Sequence, residues 1–149
     1  MKHKIFFINI ILLFIFVIDA YSRSLVINEV ATSNRSFWMD DLKEFPSSWV
    51  EIYNPTDSTI CLKGYALGKN EDYSLAYKIS DSLTIHSNDY LVFSCDKKNK
   101  GVHTSFKISP KDTSTIYLFD TKGEIIDKMM IPPLPYKDVT YGRDSKSNK

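Results

Sequence analysis
The chain has 149 residues, 43% of them hydrophobic and 25% charged, a length and balance that suit one domain with a sizeable core. Its 19 basic and 18 acidic side chains nearly cancel, so no global field draws it onto nucleic acid or anionic lipid. Two cysteines are too few for a small scaffold stapled by disulfides.

Residues 1–22 read as a secretory signal peptide. Lys2, His3 and Lys4 form a short basic start, Ile5 to Ile18 make an apolar run of 14 residues broken only by Asn9, and Ala20-Tyr21-Ser22 puts small residues where a signal peptidase reads. A helix that spans a bilayer needs about 20 apolar residues, so the expectation is cleavage and export, with no membrane insertion afterwards. No cysteine follows the run to carry a lipid. The mature chain is therefore expected to be secreted, periplasmic or on the cell surface. Removing Lys2, Lys4 and Asp19 with the leader leaves 17 basic and 17 acidic side chains.

From residue 23 to 143 the pattern is one of short runs rich in Val, Ile, Tyr, Phe and Thr, at 25–31, 49–53, 60–67, 74–79, 90–95, 115–119, 124–131 and 139–141. No sustained 3.6-residue apolar period appears, and this rhythm predicts an all-β sandwich of about 8–9 mostly antiparallel strands. Polar corners separate the runs. Asn54-Pro55-Thr56-Asp57 combines a preset proline φ with side chains that bond nearby backbone. Asp120-Thr121-Lys122-Gly123 predicts a type I turn closed by a left-handed glycine. Pro132, Pro133 and Pro135 cannot donate to a central ladder, so they mark a crossing segment or an edge. In 49–53, Trp49 and Tyr53 share one face and Val50 and Ile52 the other; Trp49, a large apolar ring, is expected in the core. Cys61 faces away from Ile60 and Leu62, whereas Cys95 shares a face with Leu91 and Phe93, which argues against a bridge between them. The tail 144–149 is polar and expected to be disordered.

Candidate chemistry is sparse. Glu29 and Glu51 are carboxylates inside β-forming runs, but no loop offers the spaced oxygens that Ca²⁺ requires, so they are expected to bond backbone or basic side chains. His86 and His103, with two distant cysteines, lack zinc-ligand spacing, and His103 near Ser105 comes without a nucleophile elbow. No catalytic residue, metal or cofactor is expected. The connection 32–48 stands out: its 17 residues exceed the usual length of a structureless loop, and Phe37, Trp38, Met39 and Phe45 sit there among Asp40, Asp41 and Glu44. Large apolar side chains on a loop mark a partner site or a lid folded over the end of the sandwich. Lys97-Lys98-Asn99-Lys100 reads as a solvated hairpin tip, with contact to phosphate or polysaccharide as the rival reading.

Taken in order, several blocks resemble the lamin tail domain family, the immunoglobulin-like fold of nuclear lamins and many exported bacterial proteins. They are Leu25-Val26-Ile27-Asn28-Glu29-Val30-Ala31 and Ser33-Asn34; Trp49-Val50-Glu51-Ile52-Tyr53-Asn54-Pro55-Thr56, the most specific; Leu62-Lys63-Gly64-Tyr65-Ala66-Leu67; Tyr90-Leu91-Val92-Phe93; and His103-Thr104-Ser105-Phe106-Lys107-Ile108-Ser109. Leu118-Phe119-Asp120 with Gly123 and Asp127, and Asp138-Val139-Thr140-Tyr141-Gly142-Arg143, complete the series. The resemblance implies a framework role for Asn28, Glu29, Trp49, Glu51, Tyr53, Asn54, Gly64, His103, Phe106, Gly123, Tyr141, Gly142 and Arg143. The corner His86-Ser87-Asn88-Asp89 departs from the Pro and Gly usual in the family. Bacterial members are often fused to CotH-type kinase, nuclease or hydrolase domains, and none is expected on this chain. The function implied is a non-catalytic module binding an unknown protein or cell-surface ligand; the rival reading is an accessory domain of such an enzyme.

Overall fold
Alternation of apolar and polar residues commits a segment to a half-buried strand, and the computed structural model, which describes residues 24–39 and 42–143, takes its framework from short strands joined by turns and loops. The signal peptide expected over 1–22, Asp40 and Asp41 of the long loop, and the tail 144–149 lie outside the described residues. In chain order the strands are β1 (Val26–Ala31), β2 (Trp49–Tyr53), β3 (Ile60–Cys61), β4 (Ala66–Gly68), β5 (Tyr77–Lys78), β6 (Thr84–Ile85), β7 (Tyr90–Ser94), β8 (Ser114–Phe119), β9 (Ile125–Ile131) and β10 (Thr140–Gly142).

Two four-stranded sheets, ordered β10-β1-β2-β7 and β5-β4-β8-β9, form an immunoglobulin-like sandwich, and β3 and β6 add a short ribbon. Adjacent strands in all three are antiparallel. The first sheet turns Ile27, Val30, Val50, Ile52 and Phe93 inward, and the second contributes Leu67, Ile116, Leu118, Met129 and Ile131 to the same cluster. Cys95 is buried in that cluster and Cys61 is exposed, as their faces imply, and both thiols are free. Burial pushes the Cys95 thiol up to about 12, so it behaves as a small hydrophobe rather than a nucleophile.

Three local features refine the strand pattern. The run 60–67 is two strands, because Gly64 takes φ +90° between them. The start of 74–79 is a 3₁₀ turn, Tyr73–Leu75, fixed by Asp72, whose carboxylate accepts from Ser74 N at 2.8 Å. The hairpin at 120–123 closes as its residues dictate: Gly123 has φ +86°, and Asp120 Oδ1 accepts from Lys122 N and Glu124 N. A Cβ on Gly123 would come within 3.0 Å of the Tyr73 ring, so space as well as backbone angle reserves this position for glycine. The proline stretch after β9 carries the chain across to β10, the edge strand beside β1.

Candidate functional site
The connection 32–48 is a tied loop rather than a slack one. Asn34, nearly fully buried, is its hub: Nδ2 donates to Phe37 O and Pro46 O, both at 2.9 Å, Oδ1 accepts from Phe37 N at 3.0 Å, and its own N–H reaches Ser47 O. From the far end of the chain, Asp138 Oδ1 accepts from Arg35 N and Ser36 N, while Asp138 N donates to Ser33 O. A short antiparallel bridge, Met39 to Glu44, narrows the tip. On this frame Phe37, Trp38 and Phe45 are 53, 50 and 54% exposed. Trp38 and Phe45 meet edge to face with centroids 5.1 Å apart. Met39 is only partly exposed. The flanks of the loop are thus tied to the domain, while Phe37, Trp38 and Phe45 stay about half exposed.

A second excursion, 95–104, runs beside it. After β7 the chain turns through Lys97 and Asn99, both with positive φ, and returns so that His103 forms a parallel bridge with Ser94. The return places His103 Nδ1 2.9 Å from Asp96 Oδ2 and 3.7 Å from Glu44 Oε1, the latter reaching over from the 32–48 loop. Lys98 Nζ lies 2.9 Å from both Glu44 Oε2 and Asp96 Oδ2. Burial alone would push the Asp96 carboxyl up, but hydrogen bonds from Lys98 and His103 outweigh it and hold the group below its ordinary value. The same carboxylates, Asp96 first and then Glu44, hold the Lys98 ammonium above its own.

The bridge partner Ser94 has a fully buried hydroxyl with no hydrogen-bond partner among the described residues, so it is not relayed to the His103–Asp96 pair. An attacking hydroxyl must be bonded to its base, and this one is not.

Trp49 corrects a simple expectation. It is buried, at 5% exposure, but on the face of β2 turned away from the second sheet, in register with Ala31 on β1 and Ser94 on β7. The segments that flank it are joined to each other: Cys95 N donates to Ser48 O, Ser48 Oγ donates to Cys95 O, and Glu44 and Lys98 link the two loops. The sandwich interior belongs to Val50 and Ile52 instead.

Along the same outer face lie Glu51 and Glu29, cross-strand partners where β1 bulges at Asn28. Among the described residues neither carboxylate bonds backbone or a basic side chain, the partners that the strand setting predicts; Glu51 Oε1 accepts from Asn28 Nδ2 at 2.7 Å and Glu29 accepts from the Thr140 hydroxyl. Burial pushes the Glu51 carboxyl up, Asn28 offsets part of this, and the Glu29 charge adds to the rise. A carboxyl raised above its ordinary 4.5 binds its proton more tightly folded than unfolded. Its contribution therefore grows as pH falls through the window above that value and is lost as pH rises. Glu51→Gln keeps the acceptor and removes the charge, so it is expected to raise the melting temperature at pH 7. That gain should shrink toward pH 4, as thermal melts across the range will record.

Of the remaining framework residues, Tyr53 stacks on Tyr90 with centroids 4.6 Å apart, Phe106 packs against the core and Tyr141 is half-exposed on β10. His86, outside that framework, has Nδ1 beside Thr59 Oγ1 at an exposed corner. The sequence shows Asn34, Glu44, Lys98 and Asp138 only as members of longer runs, and Asp96 not at all, so their meeting at this end of the domain is not read from it. The first is a turn-type residue opening a long loop and so was legible; the charged ones come together only through contacts distant in sequence.

A family model described as Lamin Tail Domain matches residues 19–131, well over half of the chain. The match stops at Ile131, before β10 and the residues that anchor it to β1. No curated protein matches the chain.

Proposed function
We propose that this chain, which belongs to the lamin tail domain family, is a non-catalytic module that works outside the cytoplasm and binds a protein or cell-surface ligand through the loop 32–48. What carries the reading is three large aromatic side chains, each about half exposed, on flanks of the loop that Asn34 and Asp138 tie by hydrogen bonds to the backbone of residues 33–37, 46 and 47. Segments tied in this way give up less entropy when they dock, and their aromatics then convert burial into affinity. The basic, apolar and small-residue sequence of 1–22 supports delivery across a membrane.

The test is surface plasmon resonance of the domain against a panel of purified envelope proteins and glycans. Phe37→Ala combined with Trp38→Ala is expected to weaken the interaction about thirtyfold, the size of a strong aromatic anchor, with the melting temperature nearly unchanged. Unaltered binding to every ligand would remove the loop's role. Recovery of the unprocessed chain from the cytoplasm would overturn export.

A further inference from the structure
We propose that Glu44, Asp96 and His103 form a binding site for one divalent transition-metal ion of the zinc type, with the Lys98 ammonium as its built-in competitor. One imidazole nitrogen and two carboxylate oxygens, from three residues on two loops, lie within 4.8 Å of one another. Zinc accepts this donor set, with bonds of about 2.0–2.2 Å, so the side chains need to close by only about an ångström. All three donors are sheltered without being sealed: the His103 and Asp96 side chains are 17% and 15% exposed and Glu44 31%.

Two independent observations point the same way. The cluster already gathers a cation, since the Lys98 ammonium bridges Glu44 and Asp96 at 2.9 Å to each. That ammonium sits on a flexible stem and is 46% exposed, and exposed pairs of this kind contribute little, so a divalent ion can displace it into solvent. Two carboxylates then balance the ion's charge. Beside the cluster, in adjoining register positions on the same face, are the buried Trp49 Nε1 and Ser94 Oγ, neither with a hydrogen-bond partner among the described residues. Unpaired buried groups of this kind are rare in a stable domain. A zinc ion held by three side chains keeps coordinated water, which is the kind of partner an indole N–H and a hydroxyl require. The site joins the loop 32–48 to the excursion 95–104, whatever the aromatics bind.

Isothermal titration of Zn²⁺ into the chelator-treated chain is expected to give one ion per molecule. Asp96→Asn and Glu44→Gln are expected to weaken binding at least tenfold and His103→Ala to abolish it, while His86→Ala leaves it unchanged. Lys98→Met is expected to tighten it about tenfold by removing the competing charge, a gain that misfolding cannot produce. Absence of saturable one-to-one binding in the Lys98→Met chain, or binding that survives His103→Ala, would overturn the site.

Discussion
Replacing Asn54 with alanine is expected to lower the unfolding free energy by roughly 3–5 kcal/mol, since each buried polar group stripped of its partner costs about 1–3 kcal/mol. Asn54 is fully buried where β2 hands over to the turn at 55–58. Its Nδ2 donates to Ser58 O, Ile85 O and His86 O at 2.8–3.0 Å, tying that turn to the end of β6. Its Oδ1 accepts from Thr56 N and the Thr56 hydroxyl. The side chain thus does for two crossing segments what a ladder does for two strands. Asn54→Asp separates the two halves of this role: it keeps the acceptor but sets a carboxylate against three carbonyl oxygens, so it should destabilise at least as much as alanine. Urea denaturation of the three proteins measures this, and an alanine variant within about 1 kcal/mol of the parent would show that water replaces the amide freely.

Asp127→Ala is expected to cost about 2–4 kcal/mol, because it strips partners from both a charge and a backbone N–H. Asp127 on β9 accepts from Ile27 N at 2.7 Å and from Arg143 Nη2 at 2.6 and 2.8 Å. Arg143 in turn donates from Nε to Ile27 O and from its backbone N to Asn28 O. The group stitches the second sheet to the first at the bulge of β1, where the register shifts between Ile27 and Glu29. Gly142 belongs to the same stitch, since a Cβ there would lie 3.1 Å from Asn28 O. Arg143 is partly solvated, so Arg143→Ala should cost less, about 1–2 kcal/mol, and the double variant less than the sum of the two. Denaturant melts of the four members of the cycle give the coupling; strict additivity would mean that the two side chains act separately.

Most of the sandwich was legible because its longer strands obey period two. The runs 25–31, 49–53, 90–95, 115–119 and 124–131 each contain a strand, and in β2 the alternation separated Val50 and Ile52 from Trp49 and Tyr53. It did not say which set faces the second sheet. Size favoured the indole, but Trp49 is buried on the other face, a tertiary effect with no local trace. The pair Thr84–Ile85 was missed because two residues carry no period. The ion cluster was missed for a related reason: Asp96 and His103 are seven residues apart and Glu44 approaches from another loop, so no spacing rule joins them. The aromatic loop was visible as a composition anomaly, whereas the tie at its start depends on Asp138, about a hundred residues away.

The last strand of the domain, β10, pairs with the first, so the first sheet is complete only when ends of the chain more than a hundred residues apart have met. Until then one margin of β1 stands with its amide and carbonyl groups open, available to any extended segment that reaches it first. Contacts so distant in sequence raise the contact order, which goes with slower folding. The terminal residues 140–143 therefore govern how long the nascent molecule stays vulnerable to pairing with its neighbours.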